Sequence, residues 1–414
     1  MTVKVIKRDG RNKDFDSNRI ITAINMAIKD MKIEDNSLGI EVAKRVTKYI
    51  EDNNVTEITV EEIQDLVVNN LKELNDKVAK SYQDYREKRE IERKKRSEED
   101  KFAKEVLMCS NVDNDNSNVD QYSFSGRKKR IADEGAKAYA KRHMLSKEGK
   151  KAFEEGLIYY HDFSEYETGN FNCMNLKIEN GLEHGFKTRN GDVRGANSFS
   201  TACQLVAVMF QCQSQCQFGG VGASALDFQM EKSVKQSFRK HYIDGLVWLE
   251  GLSIKESKKK IGKKLLSIEN KKYKNISEKA YRYANEMLDR EGNQSTQGLF
   301  HNLNTLESRA GSQLPFTSLN LGRNTSPEGR KICEWIFNAS LDGIGQNHRT
   351  SIFPISIFQY KKGVNAHKGD PNYDIKKMAI NSLCHRIYPN FVNGDYKQVV
   401  ENPNDYNTFF ATMG

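Results

Sequence analysis

The run Thr317-Ser-Leu-Asn-Leu321 decides the fold class, because it is a short extended pattern set between long helical ones. Comparable short runs, each predicted to be a strand, occupy residues 157–160, 171–176 and 351–358. Long helical patterns separate them, such as those of residues 197–213 and 226–248. Strands that alternate with helices indicate an α/β domain. Residues 131–414 are therefore predicted to form one large α/β unit.

The first ninety residues follow a different pattern, that of a hairpin followed by helices. In Val5-Ile-Lys-Arg-Asp-Gly10 the Asp-Gly pair separates two short extended runs, and glycine accepts the positive φ that a tight turn demands. Asp16 is predicted to cap a helix with one apolar face. Thr59 and Glu62 have the spacing of a capping box at the start of a later helix. We expect a small module made of a β-hairpin and a helical bundle.

The composition changes between these two parts of the chain. Nearly every residue from 87 to 100 is charged, with mixed signs that permit ion pairs along a solvated helix. Residues 111–118 are rich in Asn and Asp and are predicted to form a loop. The expected domains are residues 1–93, a charged helix and linker over residues 94–130, and residues 131–414.

Charge and hydropathy limit the class of the protein. The 414 residues carry a net charge of +9, which suits an anionic partner such as nucleotide phosphates or nucleic acid. Mean hydropathy is −0.73, and no apolar run approaches the ~18 residues of a membrane helix. These features predict a cytoplasmic protein with no membrane partner. Seven cysteines, an odd number with no Cys-x-x-Cys pair, are interpreted as free thiols, and no metal site is assigned.

Residues 1–93 contain a set of short motifs that resembles the ATP-cone, the nucleotide-sensing domain of many ribonucleotide reductases. The motifs are Val5-Ile-Lys-Arg-Asp-Gly10, Phe15-Asp16, Arg19-Ile20, Thr59-Val-Glu-Glu-Ile63 and Tyr85-Arg86. The resemblance implies that Lys7, Arg8 and Arg19 bind the phosphates of ATP or dATP, with Gln64 as a further pocket residue. Cations at the mouth of a hairpin give phosphate oxygens charge-assisted partners. The alternative is that Lys7 and Arg8 are ordinary exposed hairpin residues.

The larger unit carries a second series of motifs, whose order and spacing are more specific than any one of them. They are Gly156-Leu-Ile-Tyr-Tyr-His-Asp162, Asn172-Cys-Met-Asn-Leu176, Ser214-Gln-Cys-Gln-Phe-Gly-Gly220, residues 234–244, Pro315-Phe-Thr-Ser-Leu-Asn320, Thr350-Ser-Ile-Phe-Pro354, His385-Arg-Ile-Tyr-Pro389 and Phe409-Phe-Ala-Thr-Met-Gly414. Together they resemble the anaerobic (class III) ribonucleoside-triphosphate reductases, with phage-type members nearest. The resemblance implies an incomplete ten-stranded α/β barrel of the glycyl-radical reductase type, which in the family is built from two five-stranded halves.

The same resemblance implies a catalytic role for two sulfur-containing residues. Cys173 matches the cysteine that reduces the substrate radical in the family, and the alternative is a small buried thiol. Met413 matches a methionine found beside the radical cysteine in members that use formate as the reductant. A polarizable thioether suits a position next to a sulfur radical. The alternative for Met413 is a terminal residue with no role.

Two further sets of residues are implied to bind nucleotides. Thr317 and Ser318 are expected to hold substrate phosphates, although strand-end capping is an equal alternative. Asn197, Ser198 and Lys240 are expected to bind a dNTP that acts as the specificity effector. For Lys240 the alternative is an ordinary exposed helix lysine.

The last motif leads to an expectation about partners. In the family the residue after the equivalent of Gly414 is the radical cysteine, and the glycyl radical and a zinc site follow further on. We therefore expect a complementing C-terminal chain, a radical-SAM activating enzyme and a homodimer. The rival hypothesis is a non-catalytic ATP- or dATP-binding regulatory remnant. Direct nucleic-acid binding is not expected, because the basic clusters lack interleaved aromatic residues.

Overall fold

The fold is taken from a computed structural model of the chain. It describes residues 3–7, 12–29, 37–108, 119–396, 401 and 405–407, and within these it leaves the side chains of residues 93–100 undescribed. The chain divides into two compact units, Met1–Glu105 and Val106–Gly414. None of the helices in the described ranges is both long and apolar enough to span a membrane.

The N-terminal unit is a three-stranded sheet with helices. Its elements are β1 (Lys4–Ile6), β2 (Asn12–Asp14), α1 (Asn18–Lys29), α2 (Ser37–Asp52), β3 (Glu57–Thr59), α3 (Val60–Leu74) and the start of α4 (Asp76–Leu107). The predicted hairpin strands pair antiparallel, as expected, whereas the Asp9-Gly10 turn lies outside the described residues. The Asn18 amide donates to the Asp16 carboxylate at 3.0 Å, which agrees with the predicted cap. β3, which pairs in parallel with β1, was not predicted from the sequence.

The predicted capping box is confirmed at the start of α3. The Glu62 amide donates to Thr59 Oγ1 at 3.2 Å, and the Thr59 amide donates to Glu62 Oε2 at 2.7 Å. The helix then buries Val67, Val68 and Leu71 in the core of this unit. The capping box thus fixes the residue at which α3 begins, and with it the side chains that the helix turns toward the core.

The C-terminal unit is an α/β fold, as predicted. Its helices are α5 (Phe124–His143), α6 (Lys147–Glu154), α7 (Glu179–His184), α8 (Phe199–Ser214), α9 (Leu226–Gln229), α10 (Glu231–Glu250), α11 (Ile254–Ile261), α12 (Lys271–Ile276), α13 (Glu278–Thr305), α14 (Pro327–Asp342) and α15 (Tyr373–Arg386), with a 3-10 helix at Phe163–Thr168. Its strands are β4 (Met174–Leu176), β5 (Phe186–Thr188), β6 (Gly191–Val193), β7 (Val221–Ala223), β8 (Thr317–Leu321), β9 (Ile355–Tyr360) and β10 (Asn390–Asn393).

Five of these strands form one parallel sheet in the order β10-β9-β8-β7-β4. One face packs against the helices in a large apolar core that includes Val221, Leu319 and Phe358. The opposite face has a small apolar cluster around Phe353, Ile355 and Ile357 beside polar residues. A parallel strand needs a crossover to reach its neighbour, and the helices between the strands supply it.

One of the predicted strands is wrong, and two others begin later than predicted. β8 has the predicted bounds, whereas β4 and β9 begin three and four residues later than predicted. The strand predicted at residues 157–160 is wrong, because this stretch has no regular structure. Leu157 and Tyr159 are 73% and 81% exposed, so their apolar character does not reflect a buried strand.

Candidate substrate face, effector cleft and regulatory site

Cys173 lies one residue before β4, with an exposed thiol. The Gly220 amide donates a hydrogen bond to its Sγ at 3.2 Å, and the thiol donates to Asn172 Oδ1 at 3.3 Å. A Cβ atom on Gly219 would lie 2.0 Å from Asn172 Oδ1. Only glycine therefore permits this close approach of the two backbone segments. This close approach holds the Cys173 thiol beside Gly220, the residue that precedes β7.

The same face of the sheet carries polar groups without partners. The pairing registers place Asn175, Gly222 and Ser318 side by side on β4, β7 and β8. Because alternate residues of a strand share a face, Cys173 and Asn175 lie on the same side of the sheet. The amide atoms of Asn175 and the hydroxyl of Ser318 are buried and have no hydrogen-bond partner. A buried polar atom without a partner is unfavourable, so this row is suited to a polar ligand.

The two predicted substrate residues do not share this face. Thr317 is buried with an unpartnered hydroxyl, as is Ser318. Adjacent strand residues point to opposite faces, so Thr317 points away from the Cys173 side. Asn175 was not predicted as a candidate, although its place two residues after Cys173 puts both residues on one face of a strand.

The chain approaches this region again at Tyr406 and Asn407. The Asn407 amide donates to Glu179 Oε1 at 3.0 Å, and its Oδ1 accepts from the Ser224 hydroxyl. The Tyr406 ring stacks on Phe228 with centroids 4.9 Å apart and 5° between their planes. These contacts hold Asn407, two residues before the motif Phe409–Gly414, beside the end of β7. Met413, the second predicted catalytic residue, lies outside the described residues.

A cleft of about 640 Å³ lies between the start of α8 and helices α10 and α13. Two of the predicted effector residues, Ser198 and Lys240, line it together with Arg290 and Gln294. In the described part of the chain, neither Lys240 nor Arg290 forms an ion pair with a carboxylate. Two exposed cations facing an open cleft favour an anionic ligand such as a phosphate group.

Glu291 organises the wall of this cleft. Its carboxylate accepts from the Ser200 amide at 3.0 Å and from the Ser237 hydroxyl at 2.8 Å, and lies 2.6 Å from His241 Nε2. Burial acts to raise the pKa of Glu291, but the hydrogen bonds from His241, Ser200 and Ser237 outweigh it and hold the pKa below the ordinary value. The negative charge of the cleft is thus engaged internally, and Lys240 and Arg290 are left to face the ligand space.

The third predicted effector residue, Asn197, is not grouped with the other two. It lines a neighbouring cleft of about 280 Å³ that also contains Lys232 and Tyr406. Arg290 and Gln294, by contrast, line the cleft of about 640 Å³, which we call the effector cleft, but were not predicted from the sequence. They are four residues apart on α13, a spacing that puts two polar side chains on one helix face.

The predicted nucleotide residues of the N-terminal unit are spread over three elements. Parallel pairing places Ile6 opposite Thr59, so Lys7 lies beside the N-terminus of α3. Gln64 is half-buried on the second turn of that helix. Arg19 is exposed at the start of α1, with its Nε 3.6 Å from Asp16 Oδ2. Arg8 lies outside the described residues.

In the described part of the chain, no group of three or more His, Cys, Asp or Glu side chains is arranged to hold a metal ion. The sites point instead to a protein that binds nucleotides or similar polyphosphates. Comparison with known proteins agrees with this class. A family profile described as anaerobic ribonucleoside-triphosphate reductase matches residues 115–414, and an ATP cone domain profile matches residues 3–91. The chain belongs to the anaerobic ribonucleoside-triphosphate reductase family and carries an ATP-cone.

Relatives come from bacteria and from a phage. The anaerobic ribonucleoside-triphosphate reductase of Haemophilus influenzae is 32% identical over 96% of this chain and 52% of its own length. That of phage T4 is 27% identical over 69% of this chain and 43% of its own length. The chain thus spans about half the length of the relatives it matches. A structure of the anaerobic ribonucleotide reductase from Thermotoga maritima covers 67% of this chain and 44% of its own, at 17% identity and a TM-score of 0.43.

Proposed function

We propose that this chain is the regulatory and substrate-facing half of an anaerobic ribonucleoside-triphosphate reductase. It reduces ribonucleoside triphosphates to deoxyribonucleoside triphosphates by radical chemistry, together with sequence equivalent to the remaining half of its relatives. The observation that carries this proposal is the thiol of Cys173 beside the unpartnered polar row of Asn175 and Ser318. A thiol there is placed to donate a hydrogen atom to a substrate radical bound over the sheet.

The site supports a specific division of labour among the nucleotides. Lys240 and Arg290 bind the phosphates of a dNTP effector in the cleft, with Ser198 at its edge. Lys7, Arg8, Arg19 and Gln64 bind ATP or dATP in the cone. Ser318 contacts the substrate, whereas Thr317 points to the opposite face of the sheet and does not contribute to this contact. Asn197 acts from the neighbouring cleft.

The remaining partners follow from the family resemblance and form part of the proposal. The five-stranded parallel sheet is one half of a ten-stranded barrel, completed by the complementing sequence. Formate is the reductant, and Met413 assists it beside the radical cysteine. A radical-SAM enzyme installs the glycyl radical, and both that radical and the zinc site belong to the complementing sequence. The working protein is a cytoplasmic homodimer.

Anaerobic activity with a cysteine variant tests the catalytic proposal. The chain is combined with its complementing sequence, the activating enzyme, S-adenosylmethionine and formate, and dNTP formation is measured. We expect Cys173→Ser to abolish product while the affinity of the effector cleft for dNTP stays unchanged. Cys384→Ser, at another exposed cysteine on α15, serves as the matched control and should keep full activity. Absence of product from the unaltered chain, under conditions that activate an intact relative, would contradict the reductase proposal and leave the regulatory remnant.

A binding measurement tests the effector cleft separately. Lys240→Gln removes one of the two unpaired cations, so dNTP affinity should fall roughly tenfold to a hundredfold. Lys279→Gln, at an exposed lysine of α13 that does not line the cleft, is the control and should change affinity little. Calorimetric titration with a dNTP compares the affinities of the two variants. Equal effects of the two variants would show that the net charge of the protein, and not the cleft, governs binding.

A further inference from the structure

The positive charge of this protein is concentrated in one short segment. Residues 255–274 contain nine lysines and two glutamates, a net charge of +7, whereas the whole chain carries +9. The more conspicuous charged run at residues 88–101 has seven basic and five acidic residues and therefore adds only +2. The lysine-rich segment covers α11, the connection after it and most of α12. We call the lysines of residues 255–274 the lysine surface.

Nearby carboxylates do not neutralise the lysine surface. Glu256 is engaged in the capping box of α11, where it accepts from the Ser253 amide at 2.9 Å and from the Ser253 hydroxyl. Lys272 donates to the Ile261 carbonyl at 2.7 Å, and Lys274 lies over the Tyr281 ring. In the described ranges, no lysine of the surface has a carboxylate oxygen within 4.0 Å of its amino group. Like charges held close together destabilise a folded protein, so a solvated face alone gives no reason for this density.

The helix dipole accounts for only part of the charge. Three of the lysines occupy the last turn of α11 and Lys274 lies in the last turn of α12, where positive charge is favourable. The other five lie before the last turn of α11, in the connection or at the start of α12, beyond the reach of this effect. A stabilising role within the helix therefore leaves most of the surface unexplained.

An aromatic side chain lies at the edge of this surface. Trp248 is 78% exposed on the last turn of α10, and a short turn through Gly251 leads into the first turn of α11. Trp248 and the start of the lysine surface are therefore at the same end of the helix pair. Direct nucleic-acid binding was not expected from the sequence, because the basic clusters lacked interleaved aromatics. The fold supplies an exposed aromatic residue, Trp248, from the neighbouring helix α10.

We propose that the lysine surface and Trp248 bind single-stranded nucleic acid. Proteins that bind single strands without sequence preference combine a positive surface along the backbone with aromatic rings on which bases stack. The surface contains lysine but no arginine, whereas protein interfaces are enriched in arginine and depleted of lysine. Arginine is also the residue whose planar fork matches carboxylates. These preferences favour a phosphodiester backbone over an acidic protein. The proposal does not depend on the proposed reductase activity.

Tryptophan fluorescence provides the test, because the chain has two tryptophans and the second, Trp335, is 1% exposed. The full chain is titrated with an oligothymidylate in the presence of excess Mg-ATP, at several salt concentrations. We expect quenching of Trp248 and an affinity that falls steeply with salt. Loss of oligothymidylate binding when Mg-ATP is present at the concentrations that fill the effector cleft or the cone would overturn the proposal. Absence of binding at low salt would also overturn it.

Two triple variants that remove equal charge distinguish binding at the lysine surface from a general effect of net charge. Changing Lys258, Lys259 and Lys263 to Gln should weaken binding at least tenfold and reduce the salt slope by about 2, because each phosphate neutralised on a single strand adds roughly 0.7 to the slope. Changing Lys128, Lys147 and Lys150 to Gln removes the same charge from α5 and α6 and should have little effect. Trp248→Phe should abolish the fluorescence change and weaken binding roughly tenfold or less, with the salt slope unchanged. Equal weakening by both lysine triples, or equal binding of polyglutamate, would overturn the assignment to nucleic acid.

Discussion

Gly222 shows how one missing side chain shapes the candidate substrate face. A Cβ atom at this position would lie 2.5 Å from both Asn175 Oδ1 and Ser318 Oγ. Gly222→Ala should therefore lower the free energy of unfolding by about 1–3 kcal/mol, as overpacking of a buried site does. Gly135→Ala, on α5 with nothing within 4 Å of its Cβ, is the control. It should be neutral or stabilising by up to about 1 kcal/mol. Urea unfolding of both variants checks the difference, and equal stabilities would contradict the described packing.

Glu291 makes the stability of the effector cleft depend on pH. Its folded pKa lies below the ordinary value of 4.5, because hydrogen bonds from His241, Ser200 and Ser237 outweigh the effect of burial. A carboxylate of this kind adds stability above its unfolded pKa and loses it as pH falls through the folded pKa. Glu291→Gln should therefore lower the free energy of unfolding by about 2 kcal/mol at neutral pH. This difference between the variant and the unaltered protein should disappear below pH 4.5. Urea unfolding across this range tests it, with exposed Glu286→Gln on α13 as the control. A difference independent of pH would exclude the titration of Glu291.

At the scale of elements, the capping box of α3 is the clearest local signal. Thr59 satisfies the Glu62 amide, and Glu62 satisfies the Thr59 amide in return. Thr59→Ala removes the first bond and should destabilise the N-terminal unit by about 1 kcal/mol. Thr22→Ala, inside α1, replaces a hydroxyl that bonds the Asn18 carbonyl and should change stability by less than about 0.5 kcal/mol. Thermal unfolding followed by circular dichroism compares the two. Equal melting temperatures would indicate that water caps this helix just as well.

Elements were predictable where a few neighbouring residues determine them. The capping box, the Asp16 cap and β8 depend on local spacing and were found. β3, β7 and β10 are three or four residues long and become strands only through pairing with distant strands. The error at residues 157–160 has the same origin, since an apolar run without a partner strand stays irregular. Candidate sites follow this rule too. Cys173 could be proposed from its motif, whereas Arg290 lines the cleft only because α13 packs beside α8 and α10.

At the scale of the whole molecule, two units with separate apolar cores account for the two family matches. The core of the N-terminal unit includes Ile24, Val46 and Leu71, and that of the C-terminal unit surrounds the helix-covered face of the sheet. The proposed nucleotide site of the ATP-cone can thus lie in a unit that has an apolar core of its own, separate from that of the five-stranded sheet. A core of its own is what a unit needs in order to fold as a domain.

The boundary of the N-terminal unit leads to a test with two fragments. The first turns of α4 contribute Val78, Ala79 and Tyr82 to its core, and all three are less than 5% exposed. A fragment of residues 1–107, which keeps α4, should therefore unfold cooperatively and bind ATP, and Lys7→Gln should weaken that binding. A fragment of residues 1–75 loses these three side chains, each worth about 1–3 kcal/mol when buried, and should be unfolded. Circular dichroism and calorimetric titration with ATP compare them. Cooperative folding of the shorter fragment would show that α4 is dispensable for this core.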